Sequence, residues 1–193
     1  MSISNVFAEH TKVTSRAAEE LPPVLERVVK AVEECLRSGH KVFACGNGGS
    51  AADAQHLVAE LIGRFVHERQ ALPAIALTAD TAILTAVGND YGYERVFSRQ
   101  LEGLAHKGDL LFAISTSGNS PNVVNAAITA RERGCRVVGV IGERDCKLQA
   151  LADPELVIRA PSTVTARIQE VHTLCIHAIA DALDARLKER PLS

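Results

Sequence analysis

Five short runs along this chain, at 41–45, 74–77, 109–114, 136–141 and 156–160, are apolar for most of their length, and helical patterns separate them. A strand wet on one face alternates apolar with polar residues, so unbroken apolarity means burial on both faces. Helices that connect such strands must cover those faces, which is the arrangement of a parallel sheet. The expected fold class is therefore α/β: a three-layer sandwich whose central, mostly parallel sheet of about five strands is flanked by helices. Helical patterns are expected at 51–65, 81–87, 93–105, 121–133 and 147–152, and a long one closes the chain at 164–188. No linker or low-complexity tract interrupts the pattern, so residues 1–193 are expected to form one domain.

Residues 1–38 read as two helices divided at Pro22-Pro23, since proline suits a helix start and not its interior. In the second, Val24, Leu25, Val28, Val29, Val32 and Leu36 recur on one face, and Ser38-Gly39 supplies a stop. These helices are expected to pack on the core or on a neighbouring subunit.

Several function classes are excluded by composition. Lys and Arg number 21 against 23 Asp and Glu, a formal charge of −2, so counterion release gives no drive toward nucleic acid. With no Trp and aromatics at 4%, the chain also lacks stacking platforms for single strands. No apolar run approaches the roughly 20 residues of a membrane span. Asn5, Glu9, His10, Lys12 and Arg16 break up any secretory core at the start. Five cysteines without a C-x-x-C pair read as small buried hydrophobes, and the expected compartment is the cytoplasm.

Two loops could hold an anion. Ser115, Thr116, Ser117, Gly118, Asn119 and Ser120 lie between an apolar strand and a helix opening at Pro121, with Ser120 as the expected N-cap. Four hydroxyls at a helix N-terminus can hold a phosphomonoester without a lysine or arginine. The other loop, Gly46-Asn47-Gly48-Gly49-Ser50, also links strand to helix; its glycines permit close backbone approach, and Ser50 with Asp53 fits a capping arrangement. A dinucleotide fingerprint is rejected, because no acidic residue follows a second strand about 20 residues on, the nearest being Asp80.

Proton transfer or metal binding needs other groups. His56 and Glu60, at i and i+4, lie about 40° apart on one helix face and can share a ligand. On the apolar last helix, Gln169, Glu170, His172 and His177 need partners if buried, as hydrogen-bonded structural groups or as a site. Spacing does not choose among these four.

Taken in order, GNGGSAADAQH at 46–56, LPAIALTADTAILTAVGNDYGYERVFSRQ at 72–100, ISTSGNSPN at 114–122 and RIQEVHTLCIH at 167–177 resemble the phosphoheptose isomerases of the sugar-isomerase (SIS) superfamily. The resemblance runs through essentially the whole chain. It implies conversion of sedoheptulose 7-phosphate to D-glycero-D-manno-heptose 7-phosphate through an enediol(ate), the first step toward ADP- and GDP-heptose and the heptose of bacterial lipopolysaccharide. It implies that Ser115, Thr116, Ser117 and Ser120 bind phosphate, and that Asn47, Gly48, Gly49, Ser50, Arg64, Asn89, Asp90 and Gln169 contact substrate. It also implies one Zn²⁺ per subunit held by His56, Glu60, Gln169 and His177, with Glu60 and His177 as the acid/base pair, and a homotetramer. Where some members carry Asp just before Arg167, this chain has Ala166, so a polar contact there must come from elsewhere, such as Thr165. The alternatives are a non-catalytic SIS protein that binds the replication initiator DnaA, and an SIS isomerase for another sugar phosphate. Retention of both Glu60 and His177 argues for chemistry.

Overall fold

The computed structural model describes residues 2–192. Helices α1 (Ile3–Glu20) and α2 (Pro22–Arg37) lead into β1 (Val42–Cys45), α3 (Gly49–Ile62), β2 (Ala74–Ala76) and α4 (Thr81–Tyr91). After a 3-10 turn at Tyr93–Arg95 come α5 (Ser98–Leu104), β3 (Leu110–Ser115), α6 (Pro121–Glu132), β4 (Arg136–Ile141) and α7 (Lys147–Leu151). A second 3-10 turn at Pro154–Leu156 precedes β5 (Val157–Arg159) and α8 (Thr165–Glu189).

All five strands pair in parallel, in the order β2-β1-β3-β4-β5. Alternate residues of each strand feed two cores, as a sheet covered on both faces requires. Val42, Ala44, Leu110, Phe112 and Ile114 pack with α2, α3 and α8, through Val28, Leu57 and Ile176 among others. Phe43, Cys45, Leu111 and Ala113 pack on the opposite side with α5 and α6, through Leu101, Val123 and Ala127. The chain leaves β1 outward to β2 and returns across it to β3. The loops after β1 and β3 therefore part to opposite faces, and open α/β sheets bind ligands in the crevice left there.

The expected helix at 93–105 is broken instead into a 3-10 turn and α5. Gly92 at φ +91° redirects the chain, which bends again to seat Val96 and Phe97 in the second core. The helix expected at 51–65 runs from Gly49 to Ile62, and α4 continues through Tyr91 rather than ending at 87. At the last strand, Leu156 closes a turn opened by Pro154, so pairing is confined to Val157–Arg159.

The helices differ in how much they bury. One face of α2 is almost wholly enclosed, whereas α1 buries only Ala17. Polar bonds pin α1 to α8: His10 Nδ1 meets Glu170 Oε2 at 2.8 Å and Arg167 Nη1 donates to the Val6 carbonyl at 2.6 Å. Helix α4 has no buried side chain, although Ala82, Ile83, Leu84, Ala86 and Val87 are apolar.

Candidate active site

At the crevice, the loops after β1 and β3 are tied by a reciprocal amide pair. Asn47 Nδ2 donates to Asn122 Oδ1 at 2.8 Å, and Asn122 Nδ2 donates to Asn47 Oδ1 at 2.8 Å. Asn122 is buried and also accepts from the Val123 backbone N–H, which fixes its orientation. Tyr93 reaches the same Asn47 oxygen at 3.5 Å. Asn47, Tyr93, Glu94, Ser120, Pro121 and Asn122 line one cleft. Sequence reasoning singled out neither Asn122 nor Tyr93; the Pro121-Asn122 step at a helix start was the available signal for the first.

The serine turn is folded inward. Ser115 Oγ lies 3.2 Å from Ser120 Oγ and 3.4 Å from Ser117 Oγ, so three hydroxyls converge on one another. Gly118, at φ +63°, turns the chain where a Cβ would overlap the Cys146 thiol. Ser120 occupies the N-cap position of α6 but its hydroxyl makes no capping bond, pointing to Ser115 instead. The N-cap position is the expected one, and the hydroxyl, free of a capping bond, belongs to a residue that lines the cleft. The Ser50/Asp53 capping reading is corrected: Gly48, at φ +55°, is the N-cap of α3, and Ser50 lies within the helix. Asp80 caps α4 by accepting from the Ile83 N–H at 2.9 Å, a structural role that agrees with rejecting a dinucleotide site.

Polar residues meet along the α3/α8 seam. The Gln169 amide lies so close to Gly49 that a Cβ there would overlap it. One turn on, Thr173 donates to Asp53 Oδ1 at 2.9 Å. Asp53 is buried with Oδ2 unpartnered, and its carboxyl is raised above the usual range by burial, against the opposing Thr173 bond and the nearby His56. One turn further, His56 Nε2 stands 3.1 Å from Glu60 Oε1 and 3.2 Å from His177 Nε2. Phe65 covers the His177 ring at 5.5 Å between centroids. Glu60 and His177, remote in sequence, thus meet over His56.

The four polar residues of α8 have different surroundings. His172 is fully buried, bonds the Ile141 carbonyl at 3.1 Å through Nε2, and is held neutral by burial with a pKa lowered to about 4. Glu170 is engaged by His10 and Arg167. His177 joins the cluster.

His56, Glu60 and His177 form a group whose ligand atoms all lie within 4.8 Å of one another, the one such His/Cys/Asp/Glu group among the described residues. A tetrahedral ion with bonds of about 2.0–2.1 Å holds its ligand atoms roughly 3.3 Å apart, close to the spacing here. One proton on His56 Nε2 cannot serve both neighbours, whereas a shared cation can, so these residues fit a metal.

The remaining site expectations fall outside these contacts. Arg64 is exposed, with Nε 3.5 Å from Glu68. Asn89 and Asp90 lie exposed at the end of α4 and bond each other at 2.7 Å. Thr165 and Thr116 line a hollow with Glu143, Arg144 and Asp145, which Ser117 and Asn119 of the serine turn border as well.

The SIS domain family model matches residues 6–142. A phosphoheptose isomerase of Aliarcobacter butzleri is 51% identical over 186 residues, covering 96% of this chain and 97% of the relative. The chain belongs to the phosphoheptose isomerases. Two solved members agree in fold. The phosphoheptose isomerase of Neisseria gonorrhoeae superposes with a TM-score of 0.90 at 42% identity, over 95% of this chain and 97% of that one. That of Francisella tularensis superposes with a TM-score of 0.91 at 38% identity, over 95% and 96%. As a member of this family of aldose–ketose isomerases, the chain carries its crevice loops and its His/Glu/His cluster on one fold.

Proposed function

We propose that this isomerase converts sedoheptulose 7-phosphate to D-glycero-D-manno-heptose 7-phosphate, with Glu60 and His177 moving the protons. The observation that carries the reading is the meeting of a carboxylate and an imidazole from α3 and α8 within one cluster. Aldose–ketose interconversion needs a base at carbon, an acid at oxygen and a fixed substrate.

Ionised Glu60 takes a proton from C1 of the ketose as the C1–C2 enediol forms, and His177 protonates the C2 oxygen. Collapse to the aldose reverses these roles: His177 takes the C1 hydroxyl proton as the C1 carbonyl forms, and Glu60 returns a proton to C2. Phe65, packed on His177, shields the imidazole from water on one side and fixes its plane. Ser115, Thr116, Ser117 and Ser120 hold the phosphate, the three serines exchanging their mutual hydroxyl contacts for phosphate oxygens. Asn47, locked by Asn122, presents its remaining N–H to the sugar, and Gly48, Gly49 and Ser50 let the chain approach it. Binding energy from the distant phosphate positions the reacting carbons.

For the metal we propose Zn²⁺, one per subunit, which would be held by His56, Glu60 Oε1 and His177 Nε2 with the Gln169 amide oxygen as fourth ligand, leaving Glu60 Oε2 and His177 Nδ1 for the protons; imidazole, carboxylate and amide donors suit it. Bound there, the ion supplies Lewis acidity toward the sugar oxygens.

A homotetramer is supported by the exposed Ala82, Ile83 and Ala86 of α4 and by Ile3 and Phe7 of α1, exposed at 79% and 68%. In that assembly Arg64, Asn89 and Asp90 reach substrate across a subunit boundary. Five free cysteines suit a reducing cytoplasm, where the product feeds heptose activation for lipopolysaccharide. The initiator-binding alternative is not favoured, since it gives no role to Glu60 facing His177.

The test is turnover of sedoheptulose 7-phosphate by purified protein with and without a chelator. Conversion to the mannoheptose phosphate, lowered by the chelator and restored by Zn²⁺, is expected. Absence of conversion with Zn²⁺ present refutes the assignment.

A further inference from the structure

Beyond the cluster, the seam between α3 and α8 ends in a second polar knot that none of the chemistry above uses. Asp184 of α8 has a side chain with no exposed surface, and Arg69 is 8% exposed. Asp184 Oδ2 accepts three successive backbone N–H groups, from Phe65 at 3.2 Å, Val66 at 2.9 Å and His67 at 3.1 Å. Its Oδ1 takes the Arg69 Nε at 2.6 Å. Arg69 gives its other donors to backbone carbonyls, at the end of α3 to Glu60 at 2.5 Å and Leu61 at 2.9 Å, and beside it in the chain to Gln70 at 3.0 Å. The first two carbonyls belong to the last turn of a helix, where no intrahelical N–H is available to them.

The consequence is geometric. Arg69 grips α3 at the backbone of Glu60, Asp184 grips α8 about two turns beyond His177, and the loop held between them carries Phe65 onto the His177 ring. We propose that Asp184 and Arg69 are positioning residues for the isomerase reaction, a latch that sets the Glu60–His177 separation and the plane of the His177 imidazole. The proposal rests on the reading of Glu60 and His177 given above. A buried pair of this kind need not add stability over an apolar substitute, so its placement beside the two reacting groups is the informative point.

The experiment compares Asp184→Asn with Asp109→Asn. Asp109 is as deeply buried and similarly bonded, but it ties Lys41 and His106 at the start of β1 and β3, with no bond to α3 or α8. Both variants are assayed below their melting temperatures, by steady-state kinetics with sedoheptulose 7-phosphate and by Co²⁺ titration of metal-free protein followed through its visible absorption. For Asp184→Asn, kcat and Co²⁺ affinity should each fall by about 10–100-fold, the usual cost of losing the groups that orient metal ligands, with KM within about twofold. Asp109→Asn should lower the melting temperature while leaving kcat and Co²⁺ affinity unchanged.

Wild-type kcat and Co²⁺ affinity in folded Asp184→Asn would overturn the latch, as would equal losses in Asp109→Asn. If Asp184→Asn does not fold, Arg69→Lys carries the test with the same two readouts and expected losses, because lysine keeps the charge but cannot span Asp184 and the α3 carbonyls together. Failure of the isomerase reading would show separately, as a wild-type protein that does not turn the sugar over, and the Co²⁺ arm would still judge the latch.

Discussion

Replacing Gly49 with alanine should separate the site from the fold. Gly49 opens α3 with φ outside the left-handed region, so its backbone accepts a side chain, and alanine is the better helix former by up to about 1 kcal/mol. Nothing in the first turn opposes the change except Gln169, whose amide atoms occupy the place of the new Cβ. A flexible side chain can leave at little cost to stability, but Gln169 is then pushed from the glycine loop, where it would contact the sugar. Loss of one such polar group costs about 10–100-fold, or roughly 1.4–2.7 kcal/mol of transition-state stabilisation. The expected outcome is a melting temperature unchanged or slightly raised, with kcat/KM for sedoheptulose 7-phosphate down by that factor. Thermal melts and steady-state kinetics on one preparation decide it. Wild-type kcat/KM in Gly49→Ala would show that Gln169 has no part in the site, and an activity loss matched by an equal loss of unfolding free energy would show that the change acts through the fold.

Asn122→Ala removes one half of the reciprocal amide pair and strands Asn47, so stability should fall by about 1–3 kcal/mol and KM should rise; denaturant melts and kinetics check both. Ser117→Ala combined with Ser120→Ala should raise KM at least tenfold with a smaller change in kcat, and an unchanged KM would remove the phosphate from that turn. His172 adds a pH dependence whose sign follows from its environment. Its folded-state pKa of about 4 lies below the unfolded value of about 6.5, so the unfolded chain binds the extra proton, and stability is full above about pH 6.5 and drains as pH falls toward 4. His172→Gln should remove up to about 3 kcal/mol of that acid sensitivity, read as a flatter plot of unfolding free energy against pH.

The parallel sheet was legible because its central strands, such as Val42–Cys45 and Leu110–Ser115, are buried on both faces, and helices were the sole cover available. Element ends were less so, since Gly92 and the burial of Val96 and Phe97 act through the tertiary fold, which an apolar pattern over 93–105 does not display. At the site, the serine turn and His56 with Glu60 could be read locally, being contiguous or one helical turn apart. The meeting of His177 with His56 could not, because it depends on how α8 lies along α3, and only the family resemblance selected His177 over His172. Asp53 shows the limit from the other side: a residue three positions after a serine resembles a cap, yet its carboxylate answers to Thr173 on α8. Asn122 and Asp184 escaped notice for the same reason, since their partners are remote in sequence.

Whether Glu60 moves a proton between neighbouring carbons of the sugar is decided by following solvent deuterium into the product. Wild-type enzyme in D₂O should place deuterium at C2 of the heptose 7-phosphate, and Glu60→Gln, folded and still binding the substrate, should lose this exchange by at least about 10²-fold. Product formed without any deuterium by the wild type, or undiminished exchange in Glu60→Gln, would contradict the account.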